Sequence, residues 1–259
     1  TMQSSFMPIN EPNLDSSYIM DFGDQIEVQL IGQKDSVETY YIKRDGSINI
    51  PDVGKIILSG LSLDDASSLI KAKVLNSFIG TEAFISLANI RDINVLITGN
   101  AYNPGIYTLN GNSNMLHALS MAGGIDDNGS YREINLIRDN QVVHTLDLYD
   151  LFLFGKFNTF RLKTGDSIVV TPQKNLVNVI SGVKRPSYYE MKENETLGDA
   201  VIFANGLNSE SDITNVRLER VIGDEILSQV IEYSKINEMV VVNNDNLIIR
   251  EYKFGTVKI

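Results

Sequence analysis

The sequence predicts an α+β fold built from small modules in series, each a mixed β-sheet packed against one helix. Three observations lead to this prediction. The second half of the 259-residue chain repeats itself at a constant offset, apolar and polar residues alternate in several short segments, and other segments carry apolar residues at helical spacing. Because the offset holds through turns and apolar positions alike, we expect two tandem copies of one folding unit.

The repeat relates residues that are 82 positions apart. The matching pairs are Pro104 and Pro186, Tyr107 and Tyr189, Asn112 and Asn194, Ala118 and Ala200, Ala122 and Ala204, Gly124 and Gly206, Leu136 and Leu218, and Arg138 and Arg220. Each copy is predicted to wrap strands around one helix within roughly 80 residues, which is typical of a β-grasp module. The last strand of each copy is opened by an aspartate, Asp166 or Asp245, and Gly23-Asp24 opens a third such strand.

Asparagine and glycine mark the ends of the repeat helices. We expect Asn112 and Asn194 to cap the helix starts, because their side-chain oxygens can accept bonds from free backbone N–H groups. Gly124 and Gly206 are expected to end the helices in the left-handed backbone conformation.

The region before the repeats predicts one more small module. Ile26, Val28 and Leu30 alternate with polar residues, as in a half-buried strand. Asp45-Gly46 separates the apolar segments 40–42 and 48–50 and predicts a tight hairpin between them. A capping box at Ser62 then predicts an amphipathic helix, with Gly80 as its end.

The composition is that of a globular protein with an acidic surface. Hydrophobic residues make up 43% and charged residues 21% of the chain, and the formal net charge is −11. An acidic chain repels nucleic acid and anionic bilayers unless a basic cluster intervenes, so we predict no nucleic-acid partner. Lys184-Arg185, and Arg217 with Arg220, are interpreted as surface charge.

The chain contains no cysteine, which excludes disulfides, thiolate zinc sites and cysteine nucleophiles within it. No segment has the roughly 18 consecutive apolar residues that a transmembrane helix needs, and residues 1–15 lack the pattern of a signal peptide. We therefore expect either a cytoplasmic protein or the mature or trimmed part of an exported one.

No arrangement of residues predicts catalysis. His117 and His144 are 27 positions apart and form no HExxH motif. Asp64-Asp65 opens a helix and Asp126-Asp127 follows a helix end, so both pairs are interpreted as structural. Gly123-Gly124 ends a helix, whereas a phosphate-binding loop precedes one. We expect a protein that is not an enzyme, with no catalytic residue, no cofactor and no metal ion.

Three blocks of sequence carry a family resemblance. Segments 18–28 (YIMDFGDQIEV) and 45–54 (DGSINIPDVG), with the helix after 59–62 (SGLS), resemble the polysaccharide export domain of the Wza-type outer-membrane family. Segments 97–107 (ITGNAYNPGIY) and 116–124 (LHALSMAGG) resemble the soluble-ligand-binding β-grasp (SLBB) repeat that follows it, and the second copy is similar to a lesser degree.

The resemblance divides the chain into four parts. Residues 1–17 form a tail or an added strand, 18–94 an export domain, 95–173 a first SLBB-like repeat and 174–259 a second. By analogy with the family, we expect the first seventeen residues to add a strand to one of the repeats.

The resemblance implies a periplasmic ring of several copies, attached to the outer membrane of a Gram-negative bacterium in the full-length protein. Capsular polysaccharide or exopolysaccharide would pass through it. The implied partners are further copies of the chain, an inner-membrane polysaccharide co-polymerase and the polysaccharide itself. The family's lipid-bearing N-terminal cysteine and C-terminal membrane helix are missing from the sequence, so this piece alone is expected to be soluble.

The sequence departs from the family pattern at three turns. Asp21-Phe22-Gly23-Asp24 replaces Gly-Pro-Gly-Asp, Pro186-Ser187 replaces a Pro-Gly pair, and Asn205 stands where the first copy has Gly123. We therefore expect the second copy to have diverged from the standard module toward contacts of its own.

An apolar run in the first repeat allows two interpretations. It consists of Leu148, Leu151, Phe152, Leu153, Phe154 and Phe157. The run forms either a core-facing turn, which we favour, or a subunit interface.

The sequence is compatible with two functions. The leading hypothesis is a non-enzymatic export conduit, and the alternative is a periplasmic glycan- or ligand-binding module without a channel role. Tyr188-Tyr189 is the candidate platform for a ligand, although these tyrosines are expected to alternate between core and surface. An enzyme acting on polysaccharide needs two carboxylates about 5 to 10 Å apart in a groove, and nothing in the sequence places such a pair.

Overall fold

The computed structural model describes residues 16–158 and 160–252, which form fifteen strands and four α-helices in three groups. The first group is β1 Gln25–Gly32, β2 Ser36–Tyr41, β3 Ser47–Ile50, β4 Gly54–Ile57, α1 Leu63–Ser77 and β5 Thr81–Asn89. The second is β6 Asp92–Gly99, β7 Gly105–Asn110, α2 Met115–Met121, β8 Gly129–Arg138, β9 Gln141–Leu146, α3 Leu148–Phe154 and β10 Ser167–Pro172. The third is β11 Asn175–Ser181, β12 Ser187–Met191, α4 Leu197–Phe203, β13 Ser211–Ile222, β14 Glu225–Ile231 and β15 Asn246–Glu251.

The second and third groups contain the same five-stranded mixed sheet. The strand orders are β7-β6-β10-β8-β9 and β12-β11-β15-β13-β14. In each sheet the last strand lies at the centre, parallel to the first strand and antiparallel to the third. Helices α2 and α4 each pack closely on the sheet of their own repeat through two fully buried alanines, at positions 118 and 122 in α2 and its cap and at 200 and 204 in α4 and its cap. The predicted α+β fold with tandem repeats is confirmed.

The turn at Asp45-Gly46 forms, but the hairpin predicted around it is wrong. Strand β2 pairs with β1, whereas β3 pairs with β4. Gly46 has a φ of +77°, and its carbonyl accepts a bond of 2.8 Å from the Leu58 N–H. The turn therefore carries the chain from one sheet to another and is held by the end of β4.

Helix α1 begins and packs as predicted. The Ser62 hydroxyl accepts from the Asp65 N–H at 3.0 Å and donates to the Asp65 carboxylate at 2.7 Å. Ala66, Ile70 and Val74 are fully buried, one turn apart on a single face of the helix. The helix ends at Ser77, three residues before Gly80.

The helix caps of the repeats lie two residues later than predicted. Asn114 and Thr196 are extended, and their side chains accept bonds from N–H groups of the first turn. Asn112 lies in the turn before the helix, and Asn194 has a φ of +69°. A left-handed residue cannot serve as the cap, because the cap position needs an extended backbone.

Both repeat helices end in left-handed backbone, as predicted. Gly124 and Gly206 have φ values of +98° and +80°. Asn205 has a φ of +64°, close to the +81° of Gly123, which it replaces. The turn keeps its shape although its sequence differs, because asparagine enters this region more readily than other residues with a side chain.

A buried aspartate opens one strand in each of the three groups. These aspartates are at most 1% exposed, and each follows a residue with a positive φ. The pairs are Asp24 with Arg91, Asp166 with Arg138 and Asp245 with Arg220, each with a nitrogen–oxygen distance of 2.7 Å. The interpretation of Arg220 as surface charge is therefore wrong, whereas Arg217 is exposed.

The three groups have separate hydrophobic cores. The boundaries 18–94, 95–173 and 174–259 stay a prediction. Residues 1–15, most of the segment expected to add a strand, lie outside the described residues. Of the helices within the described ranges, none is long and apolar enough to cross a lipid bilayer.

We expect Asp166→Ala to destabilise the first repeat by about 3 kcal/mol, because it leaves the Arg138 guanidinium without its counter-ion. Chemical denaturation with amide hydrogen exchange in this repeat measures the effect. Lys174→Ala is the control, since it breaks an exposed pair with Glu133 and should change stability by less than about 0.5 kcal/mol. Equal effects of the two substitutions would contradict the prediction.

Candidate functional site

The two histidines take part in local structure. His117 is exposed on α2, and its Nδ1 accepts a bond of 3.3 Å from the Asn114 N–H, which completes a capping box. His144 is half-buried in β9 and stacks on Phe160, with ring centroids 5.3 Å apart. These contacts agree with a structural interpretation of both residues.

The aspartate pairs and the tyrosine pair also have local roles. Asp65 lies in the first turn of α1, and the Asp126 carboxylate accepts the Asn128 N–H at 2.8 Å within a turn. Tyr188 is 64% exposed while Tyr189 is buried, so the two alternate as expected. Within residues 16–158 and 160–252, no three potential metal ligands come together.

A cluster of charged side chains lies where the two repeats meet, and we name it the inter-repeat joint. It consists of Arg132, Asp147 and Tyr149 from the first repeat and Glu190, Lys192, Glu195 and Phe203 from the second. Arg132 lies on strand β8, Asp147 precedes α3 and Tyr149 lies in its first turn. In the second repeat, β12 and the following turn supply the charged partners, and the end of α4 supplies Phe203.

Arg132 is at the centre of the joint and is only 6% exposed. Its Nε and Nη2 donate to the Asp147 carboxylate at 3.1 to 3.3 Å. Its Nη1 donates to Glu195 Oε2 at 2.7 Å and to the Glu190 carbonyl at 3.2 Å. One guanidinium thus bonds a carboxylate of its own repeat and two groups of the next, using the fork of donors that only arginine offers.

Three further hydrogen bonds cross the joint. The Tyr131 N–H donates to the Glu190 carboxylate at 2.8 Å, and the Glu190 N–H donates to the Tyr149 hydroxyl at 3.0 Å. Lys192 Nζ donates to the Asp147 carboxylate at 2.6 Å. Backbone and side chains of both repeats are therefore tied on each side of the arginine.

Aromatic rings enclose the guanidinium. The Arg132 Cζ lies 4.7 Å from the Tyr149 ring centroid and 5.0 Å from that of Phe203. The two rings meet edge to face, with centroids 5.2 Å apart. Because the rings exclude water, the ionic contacts of Arg132 are stronger than they would be at the surface.

The cations of the joint keep Asp147 ionised. Burial would raise the pKa of Asp147, but hydrogen bonds from Arg132 and Lys192 outweigh it and hold the pKa below its ordinary value. Burial raises the pKa of the Tyr149 hydroxyl, which stays protonated.

The apolar run lies in helix α3 except for Phe157, which follows the helix, and α3 begins directly after Asp147 of the joint. Leu148 and Leu151 pack on the core of the first repeat, and Leu153 packs on the core of the second. Phe152 and Phe154 remain 68% and 48% exposed. The favoured interpretation is right that the run faces the core of the first repeat, through Leu148, Leu151 and Phe157. It is wrong that the run is a turn confined to that repeat, because most of the run is a helix and Leu153 contacts the second core.

Sequence reasoning did not single out Arg132, Asp147 or Glu195. One signal was available, since Arg132 is in phase with the buried Ile134 and Leu136 on the inward face of β8. A charged residue in the apolar phase of a strand indicates a buried partner. Which residues supply that partner depends on segments far away in the sequence.

Comparison with known proteins assigns the modules. Residues 12–88 match the family model for polysaccharide biosynthesis/export proteins, and residues 94–170 and 181–229 match two SLBB domain models in turn. An export module followed by two SLBB domains fits the Wza-type polysaccharide export family. The resemblance drawn from the sequence is therefore confirmed.

Two curated relatives of the chain carry a functional name. Both are described as polysialic acid transport protein KpsD from Escherichia coli, and each is 28% identical over 246 residues. The match covers 93% of the chain but 44% of each relative, so the chain spans less than half of their length.

We expect Arg132→Met to uncouple the two repeats. The substitution keeps an apolar stem but leaves Lys192 as the remaining cation of Asp147 and takes away the cation that pairs with Glu195, at a cost of about 3 kcal/mol. Calorimetry should then resolve separate unfolding transitions of the repeats. Arg217→Met, at an exposed position, should leave the transitions unchanged; a single unaltered transition for Arg132→Met would contradict the role of the joint.

We expect the joint to weaken in acid. The folded-state pKa of Asp147 lies below the ordinary value of about 3.9, so the unfolded chain takes up the proton first as the pH falls. The stabilisation that ionised Asp147 provides is therefore complete above about pH 4, and it is lost as the pH falls from there through the lower pKa of the folded state. In urea denaturation, the free energy of unfolding should fall less on acidification for Asp147→Asn than for the unaltered chain. An equal fall for both proteins would contradict this.

Proposed function

We propose that the chain is the modular part of a protein that exports capsular polysaccharide through the envelope of a Gram-negative bacterium. The observation that carries this proposal is the order of the matches, with an export module followed by two SLBB domains between residues 12 and 229. The relatives over 93% of the chain are named as transport proteins, which supports a function in transport rather than catalysis.

We further propose that several copies form a periplasmic ring attached to the outer membrane, around a passage for the glycan. The inter-repeat joint supports this, because the wall of a conduit needs neighbouring modules at a fixed relative position. The net charge of −11 supports it as well, since an acidic surface discourages adhesion of an anionic polymer.

The proposed partners follow from this role. An inner-membrane polysaccharide co-polymerase delivers the growing glycan, further copies of the chain complete the ring, and the glycan passes without covalent change. No residue of the chain is assigned a chemical step.

Deletion of the gene in the source bacterium tests the function. We expect polysaccharide of normal length to be made but retained inside the cell, because synthesis is intact and passage is blocked. Immunodetection at the cell surface and in lysates, with chain length read on gels, measures both. Re-expression of the unaltered gene should restore surface polysaccharide, and Lys174→Ala should do so equally.

Three other results would overturn the proposal. Normal surface polysaccharide after deletion excludes an export role, and surface polysaccharide of altered length indicates an enzyme. Micromolar binding of short capsular oligosaccharides in calorimetry, with a monomeric full-length protein by light scattering in detergent, favours a ligand-binding module.

A further inference from the structure

The second repeat has an open groove on the long β13–β14 ribbon. The groove has a volume of about 440 Å³ and is lined by Ile213, Thr214, Val230, Ile231, Glu232, Tyr233 and Ser234. Val230 is 65% and Ile213 is 47% exposed. Clustered apolar side chains that remain exposed are typical of an association surface.

The groove corresponds to the place where the first repeat receives the second. Ile134 pairs with Leu146 in the first repeat, and the equivalent Val216 pairs with Ile231 in the second. Counting from these pairs, Thr214 stands at the position of Arg132. Glu232 lies at the position of Asp147. Asp147 directly precedes helix α3, and Glu232 directly precedes a 3-10 turn. We name the surface around Arg132 the filled seat and the groove the open seat.

The first repeat also carries a counterpart of the surface that fills a seat. In the second repeat this surface is β12 with the following turn and the end of α4, and we name it the insert. The equivalent surface in the first repeat is β7 with its following turn and the end of α2, which we name the free insert. On the free insert Ile106 is 75% and Met121 is 44% exposed, at the positions of Tyr188 and Phe203.

The charges of the open seat and the free insert are matched. In the joint, the Arg132 cation of the seat meets Glu195 of the insert. The open seat has the neutral Thr214 in place of the arginine. At the position of Glu195 the free insert has the neutral Ser113, which is only 6% exposed, so the insert presents no anion there. Cation and anion are thus replaced together. Glu232, the remaining charge of the open seat, is paired within its own chain with Lys235 at 3.2 Å, so neither surface would bury an unpaired charge against the other.

We propose that the open seat of one copy binds the free insert of a second copy, in the manner in which the two repeats of one chain already meet. Each copy then uses two different surfaces, and such a head-to-tail contact closes into a ring or continues as a filament. The inference rests on the ring of the proposed function and names the surfaces that form it.

Cysteine cross-linking tests the contact, and introduced thiols are unique within residues 1–259, which contain no cysteine. In the joint, the Tyr131 N–H lies 2.8 Å from the Glu190 carboxylate, and the equivalent pair is Ile213 and Thr108. A mixture of the single variants Ile213→Cys and Thr108→Cys should form disulfide-linked dimers at least tenfold faster than a mixture of Val37→Cys and Thr108→Cys. Val37 is a matched control, because it is 59% exposed on a strand of the first module.

Several outcomes overturn the proposal. Dimers from Ile213→Cys alone indicate a two-fold contact between open seats. No excess over the Val37→Cys control excludes the contact. A cross-link within one chain of the full-length protein carrying both substitutions shows that the free insert of the same chain fills the open seat.

A charge placed in the open seat gives a second test. Val230→Asp should abolish the oligomers of full-length protein in detergent, seen by light scattering, whereas Val37→Asp should not, and circular dichroism checks the fold of both. Oligomers that persist in Val230→Asp overturn the docking surface but leave the ring standing. If the unaltered full-length protein is monomeric, the ring is overturned together with the docking surface. The gene deletion then still tests the export function independently.

Discussion

The buried carboxylate at the start of a strand is the constraint on which each module depends. In all three modules the carboxylate accepts a bond of 2.7 to 2.8 Å from the backbone N–H three residues earlier, which closes the turn before the strand. An arginine then neutralises the charge. In the repeats the same guanidinium donates to the carbonyl of Arg161 or Val240, in the connection that leads to the strand. A single ion pair therefore fixes the central strand, its neighbour and the connection between them.

The first module uses the same device with a different source of arginine. Arg91 comes from the segment between β5 and β6, and both its N–H and its guanidinium bond to Asp24. The Tyr18 hydroxyl donates to the same carboxylate, and burial together with the charge of Asp24 raises the pKa of that hydroxyl. The turn forms although the family's Gly-Pro-Gly-Asp is absent, because Gly23 supplies the positive φ and Asp24 supplies the acceptor. The pair also fixes the start of the segment that leads into the first repeat.

The two repeats share the same backbone topology and differ in their surfaces. Asn205 and Asn244 adopt left-handed conformations where the first copy has Gly123 and Gly165, so substitutions at the turns have left the topology unchanged. The difference lies in the connection after the third and fourth strands, which holds α3 in the first repeat and a single 3-10 turn, Tyr233–Lys235, in the second. Divergence between the copies has therefore altered what each repeat contacts rather than how it folds.

Local signals in the sequence determined the modules, and tertiary contacts determined how they are joined. Periodicity, turn residues and the constant offset depend on neighbouring residues, which is why the α+β class, helix α1, the buried alanines and the left-handed helix ends could be predicted. The hairpin at Asp45-Gly46 could not, because which strands pair depends on contacts across the fold. The apolar phase of β8 could indicate that Arg132 is buried, but the partners of Arg132 and Arg220 could not be identified, since Glu195 and Asp245 lie 63 and 25 residues away. A charge becomes an internal contact only when folding removes it from water beside its partner, and that is decided by the tertiary structure.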